Sequence, residues 1–181
     1  MARLILPNSE YVRECLDYDP DTGKFQWRKR PLAHFATLLA CNGWNTRYVG
    51  KPVGHMADRY LMIGISHNAS CGLYSAHRLA WLLIHGEPIP DFIDHIDGDR
   101  VNNRIGNLRS ATHGANMANA RLRRDNTTGV KGVILRKDGR FMAYITHNKK
   151  RYHLGLHDTL EEATAMRLDA AEELHGAFAR E

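Results

Sequence analysis

No stretch of this 181-residue protein is apolar for long enough to cross a membrane. The longest run, Leu79-Ala80-Trp81-Leu82-Leu83-Ile84, suits a buried helix, whereas a span needs about 18–20 residues. Cysteine is scarce: Cys15, Cys41 and Cys71 are odd in number and widely spaced. That argues against a disulfide framework and a four-cysteine zinc site, and favours a reducing cytoplasm. The N-terminus lacks a basic segment followed by an apolar one, so no secretion signal is expected. Glutamate is missing from the middle, where none occurs between Glu87 and Glu161. What is present, 43% hydrophobic and 25% charged residues, is ordinary for a globular protein of one or two domains.

The net charge of +5 is modest, but it is unevenly spread. Arg100–Leu154 holds 13 Lys and Arg against two acids, Asp125 and Asp138, a net of +11. Gly155–Glu181 is net −5, and the first 99 residues about −1. A concentrated basic middle is the footprint of a polyanionic partner. A solvated surface is the plainer reading of a charge run, but this run overlaps a candidate metal site.

Read in order, Asn8–Asp17 predicts a short helix with Ser9 as cap, and Lys24–Trp27 a strand after a turn-rich segment. Arg28-Lys29-Arg30 is either a phosphate contact or a solvated hairpin end. Ala33–Asn45 has no clear period. Short strands are expected between Val49 and Ser66, and a buried helix over Ser75–His85, stopped by Gly86. His77 near the start of that helix reads as a hydrogen-bonded structural histidine, or else as support for a site. Asp91–Ile96 predicts a strand carrying Asp94 and His95, Leu108–Ala111 a second strand or turn, and Thr112–Arg121 a helix. Arg121–Gly129 reads as a basic interdomain linker. Beyond it come strands from Val130, a hairpin at Asp138-Gly139, and a helix with a Thr159–Glu162 capping box. Leu160, Ala163, Met166, Ala170 and Leu174 form that helix's expected packing stripe.

The segment Asp94–Asn116, DHIDGDRVNNRIGNLRSATHGAN, carries the chemistry. A histidine with a pKa of about 6.5 can take a proton from water. A hard divalent cation on oxygen ligands can neutralise a phosphate and a leaving oxygen, and Asp and Asn ligands favour Mg²⁺ or Mn²⁺ over zinc. A calcium loop from Asp94 to Asp99 would lack its closing Glu.

His77-Arg78-Leu79-Ala80, Asp94-His95-Ile96-Asp97-Gly98, Asn102-Asn103-Arg104 and Asn107-Leu108-Arg109 resemble the HNH endonucleases in their phage homing-endonuclease branch. The resemblance implies an α+β fold with a ββα-metal (His-Me finger) nuclease core on an N-terminal β-rich scaffold. It implies His95 as general base, Asn107 as the brace of the metal loop, and Asp94 with Asn116 as metal ligands. His113 and Asn119 are alternatives to Asn116. The C-terminal part, through Gly132-Val133, Gly139-Arg140-Phe141, Ala143, Ile145 and Leu154-Gly155, resembles the AP2 DNA-binding domain, a three-stranded antiparallel sheet plus one helix. That implies DNA contacts from Lys131, Arg136, Arg140, Tyr144, Thr146, Arg151 and His153, with Arg123 and Arg124 of the linker on phosphate.

The resulting expectation is a nuclease domain over 1–120, a linker over 121–129 and an AP2-like domain over 130–181. The protein is expected to be a monomer that nicks double-stranded DNA with Mg²⁺ or Mn²⁺, in the cytoplasm and without a membrane partner. Its rivals are a non-catalytic DNA-binding regulator and a nuclease of structured RNA.

Overall fold

Residues 6–67, 70–112, 119, 122, 125–147 and 150–175 are described by the computed structural model, which falls into two units, Met1–Ser110 and Ala111–Glu181. In the first unit, helix α1 (Ser9–Cys15) is capped by Asn8 rather than Ser9, with the Asn8 carboxamide oxygen accepting from the Tyr11 amide at 2.8 Å. Strand β1 (Leu16–Asp19) follows at once and pairs antiparallel with β2 (Lys24–Trp27). The Asp19 carboxylate closes the intervening turn by accepting from the Asp21 and Thr22 amides and the Thr22 hydroxyl.

Arg30 departs from both readings of its basic cluster. It is buried, with its guanidinium carbon 5.2 Å from the centroids of Phe35 and Trp44 and 5.7 Å from that of Tyr11, and it donates to the Tyr11 hydroxyl. A guanidinium is weakly hydrated and stacks on aromatic faces, so it tolerates this cage better than an ammonium would. The region without a period becomes helix α2 (Leu38–Tyr48), capped by Thr37. Leu38 and Leu39 are exposed and Cys41 is its buried residue, which is why no apolar stripe marks it.

Strands β3 (His55–Ala57), β4 (Tyr60–His67) and β5 (Ser70–Ser75) form an antiparallel sheet in that order. β5 carries no alternating signal because one of its inward positions is Gly72 beside buried Tyr74. Helix α3 (Ala76–His85) is buried through Ala76, Leu79, Ala80, Leu82 and Leu83. Those side chains meet Val12, Leu16, Phe25, Ile63 and Ile65 in one core. Ile93 of strand β6 (Phe92–His95) and Leu108 of strand β7 (Leu108–Ala111), which pair as a small sheet, belong to the same core. The candidate site is thus mounted on strands rooted in the largest apolar cluster of the unit.

The second unit is a three-stranded antiparallel sheet, β8 (Val133–Leu135), β9 (Phe141–His147) and β10 (Lys150–His157), with β9 central, and helix α4 (Leu160–His175). The hairpin falls at Asp138-Gly139, where Gly139 adopts φ +83°, and the Thr159 hydroxyl accepts from the Glu162 amide at 3.2 Å. Val133, Ala143 and Ala163 centre its core. The buried row of α4 is Ala163, Arg167 and Ala171, while Met166 is 43% exposed. The expected stripe is therefore rotated, with the aliphatic stem of Arg167 taking an inward position. Most of the helix expected over Thr112–Arg121, and Gly176, lie outside the described residues. Among the described residues no helix is long and apolar enough to cross a membrane.

Gly23 lies where the first hairpin meets the loop between β6 and β7. Its φ is +72°, and a Cβ there would lie 2.6 Å from the backbone carbonyl carbon of Asn103 and from the amide nitrogen of Arg104. Gly23→Ala is predicted to destabilise the fold by at least about 1–2 kcal/mol from the left-handed backbone alone, and by more as the loop is pushed away. Urea unfolding of the variant measures this.

Candidate active site

Asp94 and His95 are consecutive on β6, so their side chains leave on opposite sides. Both are nonetheless buried, at 5% and 4% exposure. Asp94 meets Arg109 of β7, whose Nε and Nη2 lie 3.0 and 2.9 Å from Oδ2. The ion pair offsets the cost of burying the carboxylate.

On the other side, His95 Nε2 lies 3.4 Å from Oδ1 of Asn103, a residue 1% exposed. The Asn103 Nδ2 donates to the Val101 carbonyl at 3.1 Å, which orients its amide oxygen toward the ring. In the tautomer that carries its proton on Nε2, neutral His95 donates to that oxygen. Asn103 is in turn held from the first hairpin. The Tyr18 hydroxyl donates to its carbonyl at 2.7 Å, and the Ile105 amide donates to the Pro20 carbonyl at 3.0 Å.

His77 of α3 walls the ring, its centroid 5.1 Å from that of His95 at 71°, and the Tyr60 ring lies 5.3 Å from His77 and 6.3 Å from His95. His77 does not form the expected structural hydrogen bond: its buried Nδ1 has no partner among the described residues. Burial chiefly, then the His95 ring and Arg78, push its pKa down to about 3. Burial also lowers the pKa of His95, against the opposing pull of the Asn103 hydrogen bond and of Asp97, Asp94 and Asp99. Both imidazoles are neutral at pH 7.

The loop after β6 is closed by Asn107. Its Oδ1 accepts from the Asp97 amide at 3.1 Å, and its Nδ2 donates to Asp97 Oδ1 and the Asn102 carbonyl, both at 2.9 Å. Burial raises the Asp97 pKa, but hydrogen bonds from Asn102, the Asp99 amide and Asn107 together hold it below the ordinary carboxylate range. Asp94, His95 and Asn107 are therefore brought together around one loop. Asn116 and the alternative His113 lie outside the described residues, as do Arg123 and Arg124. Asn119 is buried and belongs to the second unit. Among the described residues no group of three or more His, Cys, Asp or Glu could hold a metal. The nearby oxygen donors are the carboxylates of Asp94, Asp97 and Asp99 and several amide oxygens, with no thiolate, which fits a hard divalent cation rather than a soft one.

In the second unit, Thr146 pairs with Arg151 and Tyr144 with His153 across β9 and β10, so these four side chains share the face opposite Ala143 and Ile145. The Arg151 guanidinium stands 4.4 Å from the Tyr144 ring centroid. Arg136 and Arg140 flank the hairpin and both pair with Asp138, at 3.5 and 3.0 Å. Lys131 lies in the turn before β8.

Sequence reasoning gave no role to Asn103, Tyr60 or the Arg109 partner of Asp94. A loop asparagine next to another asparagine carries no mark of burial, and only the seating of the first hairpin makes Asn103 an orienting group.

Residues 74–118, from β5 through β7 and beyond, match the family model described as HNH endonuclease. Such nucleases generally use a divalent metal, and the domain implies DNA binding. Protein 3.8 of Escherichia phage T7 is 36% identical over 107 residues, 58% of this chain and 87% of that protein. Uncharacterized HNH endonuclease L560 of Acanthamoeba polyphaga mimivirus is 32% identical over 110 residues, 60% of this chain and 57% of its own length. No solved structure matches.

The depressed pKa of His77 has a consequence for stability. The unfolded chain binds a proton at this residue below about pH 6.5, whereas the folded one refuses it until about pH 3. The folded state therefore loses stability as pH falls through that window. His77→Phe is predicted to flatten the acid limb of the stability–pH curve by close to one proton, as read from urea midpoints across the range.

Proposed function

The chain belongs to one family with Protein 3.8 of phage T7 and carries an HNH endonuclease domain, and from that premise we propose that it is a metal-dependent DNA endonuclease with His95 as general base. The observation that carries this reading is the buried His95 ring, held by Asn103, one residue from the Asp94 carboxylate. Nδ1 takes a proton from the water that attacks the phosphodiester, and the neutral ring at pH 7 is in the state that can accept it. Asn107 keeps the loop closed behind that histidine. A divalent cation, Mg²⁺ or Mn²⁺, held by Asp94 and Asn116, supplies charge neutralisation at the phosphate and at the leaving 3′-oxygen.

The second unit serves delivery. Its outer face, with Tyr144, Thr146, Arg151 and His153, lies along double-stranded DNA in the manner of an AP2-like sheet. Lys131, Arg136 and Arg140 at its margin, and Arg123 and Arg124 in the 121–129 linker, meet phosphates. With one site per chain, the protein nicks as a monomer in the host cytoplasm. The nuclease core is taken to be of the ββα-metal type, as the HNH resemblance implies.

One observation favours a second reading, a non-catalytic DNA-binding protein: Arg109 already compensates the charge of Asp94. Plasmid incubated with Mg²⁺ separates the two. The endonuclease produces open circles, EDTA abolishes them, and His95→Ala lowers the rate by about 10²–10⁴-fold. Cleavage that survives both His95→Ala and Asp94→Ala defeats the site assignment; tight binding without cleavage selects the second reading. Arg151→Ala is predicted to weaken duplex binding and make it less salt-dependent, as measured by fluorescence anisotropy.

A further inference from the structure

Arg100 follows two acids in the loop after β6, yet neither acid pairs with it. The Asp97 carboxylate is taken up by the Asp99 amide, Asn102 Nδ2 and Asn107 Nδ2. Asp99 accepts from the Val101 amide. Both carboxylates are turned into the loop they build. Among the described residues no acceptor takes a hydrogen bond from the Arg100 guanidinium, which stands instead on the Tyr60 ring, 4.9 Å from the centroid. Arg100 is exposed, so its five donors stay open to an incoming ligand.

The position of Tyr60 is itself constrained. It opens β4 directly after the two-residue turn Asp58-Arg59, in which both residues adopt positive φ, +48° and +70°. Positive φ at both positions is the type I′ geometry of a two-residue hairpin loop, which pairs Ala57 with Tyr60 and so fixes where the neighbour of the turn stands. Here the neighbour is an aromatic ring with Arg100 on it and with His77 and His95 at 5.3 and 6.3 Å. A fixed guanidinium without an anion, two ring contacts from the candidate base, is a ready phosphate receptor.

We propose that Arg100, seated on Tyr60, binds a backbone phosphate of the DNA duplex next to the bond presented to His95. This adds to the first unit a DNA contact of its own, separate from the sheet of the second. It rests on the endonuclease reading for the identity of the polyanion, and it makes Tyr60 the positioning residue for Arg100. A planar fork on an aromatic face loses little freedom when it closes on two phosphate oxygens, so the seat favours arginine over lysine for geometry while lysine keeps the charge.

The test is the salt dependence of binding between the full-length protein and a fluorescently labelled duplex, measured without divalent cation so that nothing is cut. Arg100→Ala is expected to make the slope of log Kobs against log [KCl] shallower by about 0.9, the signature of one lost phosphate contact, and Arg100→Lys to keep it. Tyr60→Phe should behave as the wild type, while Tyr60→Leu weakens binding by about two- to thirtyfold. Melting temperatures identify any variant that fails to fold, and Arg100→Gln replaces Arg100→Ala in that event. A slope unchanged in a folded Arg100→Ala or Arg100→Gln variant overturns the proposal, as does a Tyr60→Leu variant that binds like Tyr60→Phe. The plasmid assay reports separately: a wild type that never cuts defeats the endonuclease reading, whereas an unchanged slope in a protein that does cut removes Arg100 alone.

Discussion

The hydrogen bond from the Tyr18 hydroxyl to the backbone carbonyl of Asn103 joins the parts of this molecule that matter to one another. Tyr18 belongs to an N-terminal hairpin with no chemistry of its own, and Asn103 sits in the loop that orients His95. With the Pro20 carbonyl on the Ile105 amide and the close approach of Gly23, the hairpin acts as a backstop. A loop rich in Asp, Asn and Gly has many conformations available and few apolar side chains to choose among them. Pressing it against a strand pair rooted in the Val12, Phe25 and Leu82 core selects one. The N-terminal hairpin thereby holds a later turn still.

Electrostatics divides the site along β6. On one side a buried carboxylate is matched to a guanidinium; on the other, two buried imidazoles face each other and both stay neutral. Because adjacent strand residues point apart, the cation-matched side and the proton-accepting side lie next to each other without sharing ligands. The His77 Nδ1 that lacks a partner is the least compensated part of this arrangement. An unsatisfied buried nitrogen costs on the order of 1–3 kcal/mol, and here it accompanies the wall that confines the His95 ring.

Much of the fold was legible in the sequence, for identifiable reasons. α3, β6 and the Asp138-Gly139 hairpin announce themselves through an apolar run, a short strand led by Phe92 and Ile93, and a turn dipeptide. α2 did not, because a helix with Leu38 and Leu39 in solvent has no stripe to read. β5 did not, because glycine fills one of its inward positions. The rotation of α4 was hidden by Arg167, since a buried arginine reads as surface until its neighbours are known. For the site, the pairing of Asp94 with His95 and the bracing position of Asn107 follow from the motif. The seating of Asn103 against His95 does not, because Asn103 is held by Tyr18, 85 positions away.

Arg167 extends this to the second unit. Its side chain is 6% exposed, and burial lowers its pKa against an opposing pull from Tyr144. Tyr144 carries Arg151 on the opposite face. A cation enclosed in protein is screened by salt far less than one in solvent. Arg167 is thus a fixed charge inside the unit that no ligand needs to touch. Changing the surface arginines would alter contacts, while changing Arg167 would alter the background against which every such contact is made.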